Sequence, residues 1–528
     1  MIHEARAWAT LLVLFVGVRL WLLLGDPSRF WAAEETYQTD IAVALARGEG
    51  VEPLERYLYP LFAGGSLAEN LLLVPLAAVF GPSWWLLKGV ALLIALGAAA
   101  TWVVGLRMTC GVRPALGLGL LLALSPPTSM SLQLFLFGNH AEAALPLALS
   151  AVGLMLLLDP TRSLRGRRRL ALGLGLLSGL ACFFVYSHLL VLGLQGLLLV
   201  ASSYDLRERV RLAVLAAVGV AVGLTPWVWC RRALGEPLSF TSHIGRQGAS
   251  LRDAFASMPW LGNAEGRPWL ELLSPTLLDV GSVSMGATRT LLLLSLVGAL
   301  GLGVSRRLRS APHWVLPSFV GSHGLLLFGL LAGSQIEPRY AQQLIPSGLV
   351  SLSLLLAAAV SRGGGARFVV ALAALPLLGS VLDTVPLLHA PQSGVGTLAE
   401  QGILRFPRGR QSMTMQGFTR AELPGIARWL EEQPPGDADL GFGLGLGDAT
   451  DPLLPRISCS DPGPIRASRL RRWQPPGPVS GPDMMRGYGA ASVVRHCGDL
   501  ESALREFEGS ADERADFEEG ARWMAARL

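Results

Sequence analysis

The chain predicts an all-α polytopic membrane fold: about eleven transmembrane helices, amphipathic helices at the outer face and a small soluble C-terminal region. Three observations predict it. Of 528 residues, 51% are hydrophobic and only 16% charged, a balance foreign to soluble domains of this length. Apolar runs of about 20 residues, each able to cross a bilayer core, recur as far as residue 386. Short arginine-rich segments punctuate them and all fall on one side of the ladder.

The first run, 7–25, is too long for the apolar region of a signal peptide and no A-x-A-like site follows it, so it reads as a retained helix. The next spans read at 84–106, 114–132, 141–158, 170–185, 188–203, 210–230, 288–304, 313–333, 342–361 and 367–386. Between them lie the basic segments Arg107 to Arg113, Arg162 to Arg169, Arg207 to Arg211, Arg306 to Arg309 and Arg362 to Arg367, which mark the cytoplasmic side together with the N-terminus. This parity holds only if 67–80 does not span. That stretch is short, contains Pro75 and carries Glu69-Asn70, so it reads as a re-entrant or interface-lying helix. Residues 26–83 then form one large outer loop and 231–287 a second. The expected domains are 1–386, embedded in the bilayer, and 387–528, extracytoplasmic. In the tail, 418–432 and 499–526 read as amphipathic helices, and the Pro/Gly-rich 433–490 as irregular.

Basic charge is almost all arginine; Lys88 is the only lysine. The net charge of +5 fits basic cytoplasmic loops and calls for no nucleic-acid partner. Five cysteines form no C-x-x-C pair. Cys459 and Cys497 lie in the tail, where an oxidising compartment would let them pair; two free thiols is the plainer reading.

Three constellations carry chemistry. Glu34 and Glu35 follow the first helix in F30-W-A-A-E-E-T-Y37. Most acidic pairs in outer loops are solvated surface. Here the pair adjoins a helix end, is flanked by the interfacial aromatics Trp31 and Tyr37, and leads into a helix over Tyr37 to Arg47 stopped by Gly48. Adjacent carboxylates divide labour well: one takes a proton while the other orients a substrate or holds a cation. The second constellation is G138-N-H-A-E142, on the same side, where His140 and Glu142 read either as a turn between helices or as a further acid/base or metal-ligand element. With Glu34 they form a candidate set for a divalent metal ion, without the spacing of a firm metal motif. The third is I336-E-P-R-Y340 at the mouth of a late helix. Arg339 there either snorkels to the interface or binds phosphate; phosphate binding is the favoured reading. His323 reads as a satisfied core histidine, His188 and His243 as ambiguous, and G441-F-G-L-G-L-G447 lacks phosphate-loop spacing.

Together these motifs resemble those of GT-C membrane glycosyltransferases, which use polyprenyl-phosphate sugars and include protein O-mannosyltransferases and lipid A aminoarabinose transferases. Their D-E-x-Y motif in the first outer loop resembles Glu34-Glu35-Thr36-Tyr37, a second acidic motif resembles N139-H-A-E142, and an Arg-Tyr pair opening a late helix resembles Arg339-Tyr340. The resemblance covers about 1–386. Glu34 stands where aspartate is usual, which opens the choice of base between Glu34 and Glu35. The resemblance implies a catalytic set of Glu34, Glu35 and Glu142 and a substrate-binding set of Tyr37, His140, Arg339 and Tyr340. It implies a polyprenyl-phosphate-linked sugar donor, a lipid, glycan or protein acceptor, transfer with inversion at the outer face of a bacterial inner membrane, and no certain cofactor beyond the candidate divalent metal ion. The competing classes are a secondary transporter or lipid flippase of envelope glycan precursors, which should show internal repeats and broken helices that are not seen here, and a non-catalytic scaffold, whose acids would tolerate substitution.

Overall fold

A computed structural model describes residues 2–25, 33–48, 64–125, 127–136, 138, 141–233, 283–307, 313–332, 343–361, 481–495, 499–505, 507 and 511–526. Every regular element among them is helical: α1 Ile2–Gly25, α2 Ala33–Ala46, α3 Gly65–Phe80, α4 Trp84–Cys110, α5 Val112–Ala123, α6 Pro127–Leu132, α7 Ala144–Leu157, α8 Leu164–Phe184, α9 His188–Val200, α10 Leu206–Gly223, α11 Thr225–Ala233, α12 Val283–Arg307, α13 Val315–Ala332, α14 Leu344–Val360, α15 Gly481–Arg495, α16 Leu500–Arg505 and α17 Ala511–Ala525. Among the described residues, three stretches are able to cross a membrane by length and composition: Glu4–Leu24, Trp85–Cys110 and Leu206–Arg232. Seven shorter apolar helices lie in α3, α5, α7, α9, α12, α13 and α14. The expected span 367–386, the tail helix 418–432, Cys459, Cys497, His243 and residues 234–282 of the second outer loop lie outside the described residues. Among the described residues, the Cys182 thiol is buried and free.

The bundle is built as a membrane environment requires. On α10, Val210, Val214, Val218 and Val222 recur every fourth residue and are all exposed, an outward apolar stripe suited to lipid. The opposite face closes on α8 through Gly175, Gly179, Gly219 and Gly223. A Cβ on Gly179 would collide with the backbone of Val220 and Gly223. Small residues at such a crossing let backbones approach where no hydrophobic force separates helix from lipid. Trp102 of α4, Leu147 of α7, Phe319 of α13 and Val350 of α14 share the central core.

Helices α8 and α10 begin earlier than the hydropathy pattern predicts. Ser163 Oγ accepts from the Gly166 amide at 3.2 Å, and Asp205 Oδ1 accepts from the Glu208 amide at 2.7 Å. These caps place Arg165 to Arg169 and Arg207 to Arg211 in the first two turns of their helices rather than in loops.

The predicted span 114–132 is broken instead, into α5 and α6. Pro126 and Pro127 have no N–H to offer the carbonyls four residues back, those of Leu122 and Ala123. Arg19 of α1 supplies the missing donors: its Nη2 reaches Leu122 O at 3.1 Å and its Nη1 reaches Ala123 O at 3.2 Å. Its remaining N–H groups reach Phe15 O, Ser125 Oγ and Gln133 Oε1.

In the tail, the helix expected over 499–526 is represented by two, α16 and α17, with Phe507 in neither, and the stretch expected to be irregular, 433–490, overlaps the first ten residues of α15. Pro482 sits at the start of that helix, where a missing N–H costs nothing. Its glycines, which suggest irregularity, serve a close crossing: a Cβ on Gly489 would meet the backbone of Phe517 and Ala521 in α17. Arg486 reinforces the crossing by pairing with Glu519 at 2.9 Å and Asp516 at 3.7 Å.

Candidate functional site

The short helix α2 begins at Ala33, four residues earlier than the sequence predicts, so that Glu34 and Glu35 lie in its first turn; it ends just before Gly48, whose φ of 68° is the left-handed conformation that lets a helix stop. Its inner face, Ile41, Ala42 and Val43, is wholly buried. It packs along α3. Asn70 of α3 locks the pair: its Oδ1 accepts from the Ala42 amide and its Nδ2 donates to Ser66 O, both at 2.7 Å.

This packing turns Glu35 into the protein. Its Oε2 lies 2.5 Å from Lys88 Nζ near the start of α4, and its Oε1 accepts from the Leu136 amide at 2.9 Å. Lys88 Nζ also stands 4.1 Å from the centroid of the Phe135 ring, a cation–π contact. Burial pushes the Glu35 carboxyl above its ordinary value, while Lys88 and the Leu136 amide pull it back down. Glu34 is the next residue on α2, about 100° around the helix from Glu35. Its backbone and that of Tyr37 are helical; their side chains lie outside what is described.

Glu142 joins the same place. It is 3% exposed, and its charge bears on both Lys88 and Glu69. Two motifs about a hundred residues apart in sequence are thus brought to one buried cluster. The glycine of the second motif explains part of the approach. Gly138 has φ of 81°, and a Cβ on Gly65, the first residue of α3, would strike its carbonyl. His140, Arg339 and Tyr340 lie outside the described residues.

Glu69 completes the cluster and is the member the sequence reading missed as a functional group. It is 2% exposed and close enough to Glu35 and Glu142 to feel their charge. Among the described residues neither of its carboxyl oxygens meets a hydrogen-bond partner. The Gly138 amide lies close enough to act on the carboxyl but short of full hydrogen-bond geometry. Lys88 was also missed as a partner. The available signals were a lone lysine among arginines and a Glu-Asn pair inside an apolar helix.

The cluster lies at the start of α4 and just ahead of α7. The basic segments Arg107 to Arg113 and Arg162 to Arg169 follow the far ends of those two helices. Of the candidate metal set Glu34, His140 and Glu142, only the Glu142 side chain is described. Among the described residues no group of three or more His, Cys, Asp or Glu is arranged to hold an ion.

The two histidines inside the bundle differ. His188 Nε2 lies 3.1 Å from Ser150 Oγ. His323, expected to be satisfied, is fully buried, stacks on Phe319 with ring centroids 6.2 Å apart, and has neither ring nitrogen hydrogen-bonded among the described residues. The correction has a simple cause. The residues one turn away on α13, Phe319, Val320, Leu326 and Leu327, are apolar, so no partner is at hand on its own face of the helix.

No family model matches the chain, and no curated protein matches it. Among solved structures, the chain is similar to the crystal structure of ArnT from Cupriavidus metallidurans in the apo state, at 15% identity and a TM-score of 0.46, over 98% of this chain and 77% of that one.

Proposed function

We propose that the protein is a GT-C-type membrane glycosyltransferase that moves a sugar from a polyprenyl-phosphate donor to an acceptor hydroxyl at the outer face of a bacterial inner membrane, with about eleven spans and an extracytoplasmic tail. The observation that carries this reading is the convergence of Glu35 and Glu142, from two separately recognised acidic motifs, on one buried cluster around Lys88. Buried ionisable groups at the end of an apolar bundle are expensive to keep and mark function by default.

Glu35 is committed to Lys88 and the Leu136 amide, so the general base is Glu34, one residue away on the same helix. Glu34 takes the proton of the acceptor hydroxyl. The resulting oxygen attacks the anomeric carbon, and the bond to the polyprenyl phosphate breaks. Arg339, with Tyr340, receives the leaving phosphate through charge-assisted hydrogen bonds. A single displacement inverts the anomeric centre. Tyr37 and His140 contact substrate in this scheme. A divalent cation has no described ligand set here, and no step depends on one.

The test is transfer of labelled sugar from polyprenyl-phosphate donors in membranes carrying wild type, Glu34→Gln, Glu35→Gln or Arg339→Ala at equal protein levels. Glu34→Gln is expected to reduce transfer by about 10²–10⁴-fold, the usual contribution of a positioned general base. Wild-type transfer that survives Glu34→Gln and Glu35→Gln undiminished removes the acids from the chemistry.

A further inference from the structure

The cluster contains one carboxyl that the fold does not use. Glu35 has its oxygens spent on Lys88 and Leu136, and Asn70 beside Glu69 is spent on Ala42 and Ser66. Glu69 is nearly as buried, yet among the described residues neither of its oxygens meets a hydrogen-bond partner. A buried polar group without partners destabilises the folded state. A chain that places such a group beside two other carboxyls keeps it for something that arrives from outside.

Whatever arrives must bring hydrogen-bond donors and no negative charge, because Glu35 and Glu142 stand close by. On the proposed donor the phosphate is anionic and the polyprenyl tail is apolar. Only the sugar ring presents donors. Resting on the glycosyltransferase reading, we propose that Glu69 is a specificity residue whose two carboxyl oxygens accept hydrogen bonds from hydroxyls of the lipid-linked sugar. Glu69 then fixes the ring against the α2–α3 layer while the phosphate points away from the acids, and a sugar lacking the matching hydroxyls leaves the carboxyl unpaired.

The experiment uses the full chain in nanodiscs and two readings. The first is the melting temperature without ligand of wild type, Glu69→Gln, Glu69→Leu and Lys88→Met. Both Glu69 variants are expected to melt at or above wild type, whereas Lys88→Met melts below it. If Glu69→Gln lowers the melting temperature as Lys88→Met does, the carboxyl is structural and the proposal is overturned.

The second reading adds bare undecaprenyl phosphate or a panel of polyprenyl-phosphate-linked hexoses and pentoses. Wild type is expected to gain more from at least one sugar-bearing carrier than from the bare carrier. Glu69→Gln should keep the gain from the bare carrier and lose the increment due to the sugar, with KM for that donor raised at least tenfold. An increment unchanged in Glu69→Gln overturns the assignment while the glycosyltransferase reading stands; Glu69 would then be facing the acceptor. If no sugar-bearing carrier raises wild type above the bare carrier, both fall together.

Discussion

Two buried polar groupings sit in the described part of the bundle, and they are finished differently. Around Arg19 every guanidinium N–H meets an acceptor: Gln133, Ser125 and the carbonyls of Phe15, Leu122 and Ala123. The second grouping, Glu35, Lys88, Glu69 and Glu142, contains a tight ion pair and also, at Glu69, a carboxyl with no hydrogen-bond partner among the described residues. The first grouping repairs a structural defect that two prolines create, and once the donors are supplied it is closed. The second is left open at Glu69. A polar network that serves the fold alone is expected to satisfy all its members; an incomplete one is built around a missing participant.

Removing Lys88 should have the largest effect on stability. Lys88→Met keeps the length of the side chain but leaves Glu35 in the interior with only the Leu136 amide. Loss of one partner of a buried pair costs about 3–5 kcal/mol. Denaturation of the purified chain in mixed micelles measures it, and a second substitution, Glu35→Gln, should recover much of the loss. Equal stability of Lys88→Met and wild type would mean that the pair contributes nothing, and the contrast between the two groupings would dissolve.

Arg19→Met should cost less, about 1–3 kcal/mol in all, because Leu122 O, Ala123 O and Gln133 Oε1 are neutral and entering water satisfies all but about one of them. The same measurement reads it. No change in transfer beyond that explained by lost protein is expected, because this grouping is closed. A specific loss of transfer at full stability would instead place Arg19 in the site.

Much of the bundle was legible. Among the described residues helix positions followed hydropathy closely, because a long apolar run satisfies its own backbone best as a helix, and Gly48 announced the end of α2. Glu35 and Glu142 were singled out because charge at a helix mouth is unusual. What was hidden depends on partners distant in sequence. Lys88 lies 53 positions from Glu35, and no periodicity links them. Glu69 was read only as a sign that 67–80 does not span, when the polar pair Glu69-Asn70 faces inward against α2 and the cluster. Arg19 looked like one arginine among many until the donors missing at Pro126 and Pro127 were matched to it. Hydropathy says where a chain lies in a membrane; hydrogen-bond closure says which buried charges are structural, and closure needs coordinates.

The smallest expected effect separates the two cations themselves. Each has a phenylalanine ring at hand: Lys88 Nζ is 4.1 Å from the Phe135 centroid, and Arg19 Cζ is 3.5 Å from that of Phe15. A desolvated cation over a ring gains roughly 0.5–2 kcal/mol. Lys88 shares its charge between the ring and a carboxylate in direct contact, whereas Arg19 has no carboxylate partner among the described residues. The ring is therefore a larger share of what balances Arg19, and its planar guanidinium also stacks better than an ammonium. Double-mutant cycles pairing Phe15→Leu with Arg19→Met and Phe135→Leu with Lys88→Met should give a coupling for the arginine pair at least equal to that for the lysine pair, both within that range. A larger lysine coupling would mean that the carboxylate strengthens the ring contact by fixing the ammonium over its face, so that Glu35, Lys88 and Phe135 act as one unit and the open carboxyl of Glu69 stands beside a more rigid wall than the distances alone imply.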